Sequence, residues 1–500
     1  MAVGTGVRAA EPGPPAQTVA ALFAAFVAVW SIFFVIAESQ ASIRADMAEA
    51  YAWGREFQLG YNQHPPFWAW ICGAWFMVFP RAGWAFAILS SLNAAIGLLG
   101  SWKLIGRFAR GDERIAATAL LLLTPFYTFL SYNFNANTIF LSIWPWTTYF
   151  FLRAIDEDGI VDAILFGVCM GLALLSKYYA LILGATCFLA ALQHPARARY
   201  FRSASPYVSI AVAAALCAPH IGWLLTSGAP PLRYLWRISG DSFDAMASAA
   251  AAAFFGSLAQ NAVVFGLVAL TVALARRSDA VSVPARAPRF RLLATLALAP
   301  LLLTVLAGVT LRTKVTTRMT IGTLSLMPLL AIEIAGSRGL ERLRWLSVRL
   351  AGGFSLVALA ASPAVSVGKA WFSHNTDDTA PRKELAEAAT RFWRETTGRP
   401  LAYVGGSLRY DDAVAFYSRE RPHVFVQFNY FANQWVTPGA LAEKGLLSVC
   451  VRTDAKCLAA TAGLATPLST RTEMTLSHRF WGHEAKPVDF IVTVIPPRAL

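Results

Sequence analysis

Asp46, Glu49 and His64 fall within one short stretch, Arg44 to Trp70, RADMAEAYAWGREFQLGYNQHPPFWAW, directly after the first long apolar run. If the backbone there is helical, the i, i+3 spacing puts both carboxylates on one face. Such a pair suits a general base with a supporting partner, or an oxygen-ligand metal site. The plainer reading is a cap, with Asp46 at a helix start and Glu49 in its first turn. Two prolines after His64 fix extended backbone and then start a helix. They aim the imidazole at the same surface, and Phe67, Trp68 and Trp70 seat the chain in a membrane interface.

Other polar residues stand out against apolar surroundings. Asn133, Asn135 and Asn137 in SYNFNANTIF can bind ligand hydroxyls or a headgroup, or cap the helix that follows, but cannot act as a base. Lys177 ends an apolar span in LLSKYYA, with Tyr178 beside it. LRTKVTTRM packs Arg312, Lys314 and Arg318 into a short turn, and PPLRYLWR adds Arg233 and Arg237. Cations of this kind either contact lipid headgroups or hold an anionic substrate group at the membrane surface.

The elements that must position these groups belong to a membrane protein. The 500 residues are 56% hydrophobic and only 14% charged, outside the range of soluble globular chains. The net charge of +14 sits in short clusters between apolar runs rather than on one basic face, so nucleic acid is not the expected partner. Apolar runs at 19–36, 84–105, 115–130, 139–152, 160–175, 178–192, 207–225, 249–275, 292–311, 319–334 and 346–365 predict about eleven spans, the first an uncleaved anchor. Residues 67–79 are too few to span and read as an interfacial helix.

Arg107, Arg110 and Arg114, then Arg197, Arg199 and Arg202, then the arginines between 276 and 291, then those from 338 to 349, occupy alternate connections. That places these connections in the cytoplasm. The opposite set faces outward: 38–83, 131–138, 176–177, 226–248, 312–318 and everything after 366. LRTKVTTRM breaks the charge rule and needs a reason other than topology.

From about Asn375 the composition becomes that of a soluble domain. RKELAEAATRFWRETTG predicts an amphipathic helix, and PLAYVGG, HVFVQF, LLSVCV and DFIVTVIPP predict strands, with DDAVAFYSRE a helix between the first two. The division expected is a cytoplasmic tail at 1–18, a transmembrane domain at 19–366 whose first outer loop, 38–83, carries the chemistry, and an outer α/β domain at 367–500. Cys72, Cys169, Cys187 and Cys217 lie in or beside apolar runs; Cys450 and Cys457 share the outer domain, where pairing depends on an oxidising compartment.

The first loop, with its acidic pair, aromatics and His-Pro-Pro, and the later GLALLSKYYA resemble the glycosyltransferase family 39 proteins, which include protein O-mannosyltransferases and the aminoarabinose transferases of lipid A. The resemblance covers about 19–192 well and the rest by layout. It implies a GT-C type fold that receives a sugar from a polyprenyl-phosphate carrier and needs no certain cofactor, with divalent metal left open. It also implies an acid-base role for Asp46. Many relatives have adjacent Asp-Glu where this chain has Asp46-x-x-Glu49, so the choice between the two carboxylates stays open. Many also have Lys where Gln63 stands.

The expected activity is therefore inverting transfer from a polyprenyl-phosphate-linked sugar to a hydroxyl of an envelope lipid or glycan, at the periplasmic face of a bacterial inner membrane. The expected catalytic groups are Asp46 and Glu49. His64, Asn135, Asn137, Lys177, Tyr178, Arg233, Arg312, Lys314 and Arg318 are expected to bind substrate. A protein acceptor, a lipid-linked sugar transporter and a non-catalytic scaffold are the competing readings. For a transporter, charges belong near the midplane of broken helices, whereas these acids lie in a loop.

Overall fold

The computed structural model of the chain describes residues 15–238, 242–275, 288–336, 339–372 and 376–498. Helices run in the order α1 (Ala16–Ala37), α2 (Ala45–Gly54), α3 (Phe67–Val78), α4 (Gly83–Ile105), α5 (Gly111–Leu121), α6 (Phe140–Glu157), α7 (Ile160–Leu174) and α8 (Ala180–Gln193). Then follow α9 (Arg197–Arg202), α10 (Ser205–Thr226), α11 (Pro230–Ile238), α12 (Phe243–Ala259), α13 (Ala262–Leu274), α14 (Pro288–Thr310), α15 (Met327–Ala335) and α16 (Leu340–Phe372).

This is a multi-pass membrane protein. Among the described residues α1, α4, α10, α14 and α16 are each long and apolar enough to cross a bilayer, and α12 with α13, bent by 49° at the break between them, are so only when taken together. The remaining predicted runs are shorter helices, of which α7 and α8 keep large apolar side chains exposed, Val161, Leu181 and Phe188 among them. The run 115–130 is helical only to Leu121, because Pro125 has no N–H to continue the ladder; turns and a short 3-10 segment, Phe129–Tyr132, follow. The run 249–275 breaks at Gln260 and Asn261. Arginines 276, 277, 286 and 338, which entered the orientation reading, lie outside the described residues, as does the side chain of Arg237.

After α16 come α17 (Thr376–Thr379), α18 (Arg382–Thr397), α19 (Asp411–Tyr417), α20 (Pro438–Lys444) and α21 (Ala455–Leu464). They surround strands β1 (Tyr403–Gly406), β2 (His423–Val426), β3 (Leu446–Val451), β4 (Thr470–Leu476) and β7 (Val488–Ile495), and the hairpin of β5 (Arg479–Phe480) and β6 (His483–Glu484) stands apart. The five strands lie in the order β2-β1-β3-β7-β4. β1 runs parallel to β2 and β3, and β7 antiparallel to β3 and β4. The central strands are buried apolar runs, as a sheet covered on both faces requires. β4, β5, β6, α20 and α21 were not expected: β4 is TRTEMTL, an edge strand whose exposed charged residues hide its period. A disulfide joins Cys450 on β3 to Cys457 on α21.

The sheet sits on the end of the bundle that carries α2, and its attachments are specific. α19 packs directly on α2. Arg81 Nη1 donates to the carbonyls of Ala415 (3.1 Å), Phe416 (2.7 Å) and Ser418 (2.9 Å), satisfying the C-terminal end of α19. Arg55 Nη1 donates to Arg421 O at 2.7 Å, and His423 Nδ1 lies 2.8 Å from Glu56 Oε1. From below, α2 is pinned on α3 where two glycines meet. A Cβ on Gly54 would stand 2.2 Å from Ala69 O, and one on Gly73 2.2 Å from Gly54 O. Only residues without a side chain allow that approach.

Candidate functional site

α2 places the acidic pair. Asp46 does not cap the helix, contrary to the plainer reading. The Ala45 N–H is taken at 3.3 Å by Asp377 Oδ1, which Arg382 Nη2 holds at 2.6 Å, so the cap comes from the sheet side of the molecule. The Asp46 side chain turns instead to the asparagine loop. Its Oδ2 accepts Asn135 Nδ2 at 2.8 Å and Asn133 Nδ2 at 3.1 Å, and Oδ1 has no hydrogen bond among the described residues.

The orientation of Asn135 follows from its own backbone. Asn135 Oδ1 accepts the N–H groups of Asn137 (2.8 Å) and Thr138 (3.0 Å), so the amide oxygen is used locally and the NH2 must face Asp46. α6 has no side-chain cap, so the expected capping role falls instead on the preceding turn, which Asn135 closes while it aims a donor at the carboxylate. Asn137 Oδ1 accepts Lys177 Nζ at 2.6 Å, which closes a chain from Asp46 through the loop to the lysine.

Lys177 is brought there by the His-Pro-Pro turn, since Phe67 N–H, the first of α3, donates to Leu175 O at 2.8 Å. Burial pushes its ammonium down to about 8, opposed by the Asp46 charge. It is half-buried and turned inward rather than extended to solvent. His64 stands near it, with ring centroids 6.5 Å from Trp53 and 5.9 Å from Trp68. Burial and then Lys177 lower the imidazole to about 3, so it is neutral at physiological pH and offers hydrogen bonding without competing charge.

Tyr178 OH lies 2.9 Å from His220 Nε2, and His220 Nδ1 lies 2.6 Å from Leu59 O. A carbonyl only accepts, so Nδ1 carries a proton, and Nε2 faces the tyrosine hydroxyl. His220 also lines an apolar cavity of about 310 Å³ with Leu59, Phe67, Trp70, Leu172 and Pro219.

Glu49 faces different neighbours. Burial first, then Asp412, Asp46 and Asp411, push its carboxyl well above the usual range, against the opposing pull of Arg409. Asp411 and Asp412 begin α19 and are fully buried, and neither Asp411 Oδ2 nor Asp412 Oδ1 has a hydrogen-bond partner among the described residues. Burial raises Asp412 to about 7, and burial with Asp412 raises Asp411 well above its ordinary value. Among the described residues, no three His, Cys, Asp or Glu side chains come together as metal ligands.

The structure thus joins Asp46, Asn135, Asn137, Lys177 and His64, with Tyr178 next in chain, and sets Glu49 behind them. Arg312, Lys314 and Arg318 are exposed on the turn after α14, without a hydrogen bond or ion pair to this group among the described residues. Arg233 is exposed, its guanidinium folded over Gly228. Sequence reasoning named Asn133 beside its neighbours but left it out of the expected substrate-binding set, and it missed His220, Asp377, Arg382 and the Asp411–Asp412 pair. His220, a histidine inside the apolar span CAPHIGW, was the one with a readable signal.

Residues 63–223 match the family model described as dolichyl-phosphate-mannose-protein mannosyltransferase. Over 198 residues the chain is 30% identical to lipopolysaccharide core galacturonosyltransferase RgtB of Rhizobium johnstonii, and over 186 residues 25% identical to RgtA of the same organism. Each match covers 37% of both chains, so the chain spans little more than a third of the curated relatives it matches. Against ArnT from Cupriavidus metallidurans, in the apo state and bound to undecaprenyl phosphate, the TM-score is 0.60 at 14% identity, covering 96% of this chain and 98% of the other. The fold is therefore the GT-C fold of ArnT, over nearly the whole chain.

Proposed function

We propose that the chain is an inverting membrane glycosyltransferase. It moves a sugar from a polyprenyl-phosphate-linked donor to a hydroxyl of an envelope lipid or glycan, on the periplasmic face of a bacterial inner membrane. The observation that carries this reading is the Asp46 carboxylate, with one oxygen held by two amides and the other open, one asparagine loop away from Lys177. The disulfide in the sheet domain supports an oxidising, periplasmic side for this end of the molecule. The family match and the ArnT fold support the donor class.

In this reading Asp46 Oδ1 takes the proton of the acceptor hydroxyl as that oxygen attacks the anomeric carbon. The anomeric C–O bond to phosphate breaks, the electron pair leaves with polyprenyl phosphate, and configuration inverts. The Lys177 ammonium offsets the charge that grows on the leaving phosphate. Arg312, Lys314, Arg318 and Arg233 act at the headgroup level where the carrier enters. Burial and the carboxyls of Asp412 and Asp411 favour the protonated form of Glu49, and the reading gives the role of base to Asp46 for its amide donors and open oxygen. The division at about residue 366 into a transmembrane and a periplasmic domain belongs to the same reading.

The named relatives make galacturonic acid the first sugar to test. Mass spectrometry of envelope lipids and glycans from cells lacking the protein, complemented with wild type or Asp46→Asn, tests the whole reading. Loss of one glycosyl mass increment, restored by wild type alone at equal expression, is expected. An unchanged glycoform profile would overturn it in favour of a transporter or scaffold, and a glycosylated protein in place of a lipid would move the acceptor to the mannosyltransferase class.

A further inference from the structure

β5 and β6 pair through Arg479↔Glu484 and Phe480↔His483 around a two-residue turn of Trp481 and Gly482, at φ of 44° and 83°. The glycine accepts a left-handed turn freely; a tryptophan in it is strained. The residue is nonetheless 53% exposed, so burial in the protein core does not account for it.

The position of the turn does. Trp481 Nε1 donates to Ser366 Oγ at 3.1 Å, and Ser366 Oγ lies 3.2 Å from Ser39 Oγ, just beyond the end of α1. Ser366 lies near the end of the uncharged run 350–368 of α16, which Arg349 and Lys369 bound and which matches the roughly 20 residues of a bilayer core. The hairpin tip therefore stands where the hydrocarbon ends. Trp371 and Phe372, 63% and 80% exposed, project from the end of α16, with the His483 ring 3.9 Å from Trp371. Arg479 and Lys486 flank the tip, exposed and without an ion pair among the described residues.

The base of the hairpin is rigid. Phe480 is buried with its ring 4.8 Å from that of His478, and both nitrogens of His478 face acceptors, Glu384 Oε1 at 2.8 Å and Gln40 O at 2.7 Å.

We propose that this hairpin anchors the sheet domain to an anionic lipid surface: Trp481, Trp371 and Phe372 seat in the boundary between headgroups and acyl chains, and Arg479 and Lys486 take phosphate headgroups. The anchor holds the sheet domain, and with it α19 and the Asp377 cap of α2, at a fixed height above the bilayer.

Photocrosslinking tests this on the full chain in nanodiscs of phosphatidylcholine with about one-third phosphatidylglycerol, a composition chosen to offer both headgroups. Trp481 is replaced by p-benzoylphenylalanine, and in a control Leu468 is replaced, an exposed residue beyond the far end of β4. Mass spectrometry should find phospholipid adducts at position 481, with phosphatidylglycerol above its share of the bilayer, and none at 468. Adding Arg479→Ala and Lys486→Ala should keep the adducts and remove the enrichment. Absence of lipid adducts at 481, equal yield at 468, or adducts only to a second protein chain would overturn the proposal. Because no step reads transfer activity, the result stands apart from that of the envelope glycan experiment.

Discussion

Asp46 and Glu49 lie one turn apart on the same face of α2, yet the same chemical group meets opposite surroundings at the two positions. Asp46 meets two amide donors from the asparagine loop and a nearby ammonium; Glu49, one turn on, meets the buried carboxyls of Asp411 and Asp412. Donors complement a charged carboxylate, whereas an acidic, water-poor contact retains the proton. Spacing alone leaves the two residues equivalent, and what faces each one decides its role.

The largest effect should come from exchanging these roles. Asp46→Asn should lower turnover by about 10²–10⁴-fold, the range of a lost general base, with donor binding retained. Glu49→Gln should stay within about tenfold, since it substitutes a neutral amide for a carboxyl whose burial among other acids favours the protonated form. Single-turnover transfer to purified acceptor measures both, and a larger loss in Glu49→Gln would reverse the assignment.

Lys177→Met should cost about 10²–10³-fold, mostly in kcat, as the loss of a fixed charge at a developing anion does. Its ammonium, at about 8, is charged below that pH and neutral above it, so activity should fall as pH rises through about 8. Lys177→Arg should move that alkaline limb upward. An unmoved limb would assign it to another group and separate Lys177 from the chemistry.

The acidic side makes a stability prediction. A carboxyl raised in the folded state binds more protons folded than unfolded, so its contribution is fully present below its ordinary value near 4 and is lost as pH rises through about 7. The apparent Tm of the wild type should therefore fall between pH 5 and pH 8, and Asp412→Asn should flatten the dependence. At pH 8 the variant should melt higher, by about 2–4 °C for each kcal/mol relieved. A parallel shift at both pH values would mean that Asp412 carries no buried proton.

The sequence made half of this arrangement readable. Acid pair, His-Pro-Pro and LLSKYYA lie in local runs whose period and punctuation announce helices and turns, and the structure brings Asp46, His64, Asn135, Asn137 and Lys177 together as a group. The contacts that distinguish Asp46 from Glu49 join residues 87 or more positions apart, those of Glu49 more than 300, and no local pattern carries them. α19 was readable as a helix, but its landing on α2 was not, because that depends on the sheet order and on Arg81 and Arg55 gripping backbone carbonyls. The cationic turn misled for the opposite reason. Arg312, Lys314 and Arg318 form a conspicuous local cluster, yet they stand exposed and make no bond to the Asp46 group among the described residues.

The smallest effect belongs to the residue that holds α2 from outside. Asp377 accepts the Ala45 N–H in place of a cap from the helix itself, and Arg382 fixes it while also donating from Nη1 to Ile43 O at 2.8 Å. Asp377→Ala should cost about 1 kcal/mol in stability, the ordinary value of a lost N-cap, and lower kcat a few-fold through the angle of α2 while KM stays level. Asp377→Asn keeps an acceptor for the N–H but gives up the ion pair with Arg382. It should restore most of kcat while leaving part of the stability loss. If the asparagine variant is as slow as the alanine variant, the charge pair rather than the cap orients α2. The difference between Asp46 and Glu49 would then depend on Arg382, and the sheet domain would set the base as directly as the asparagine loop does.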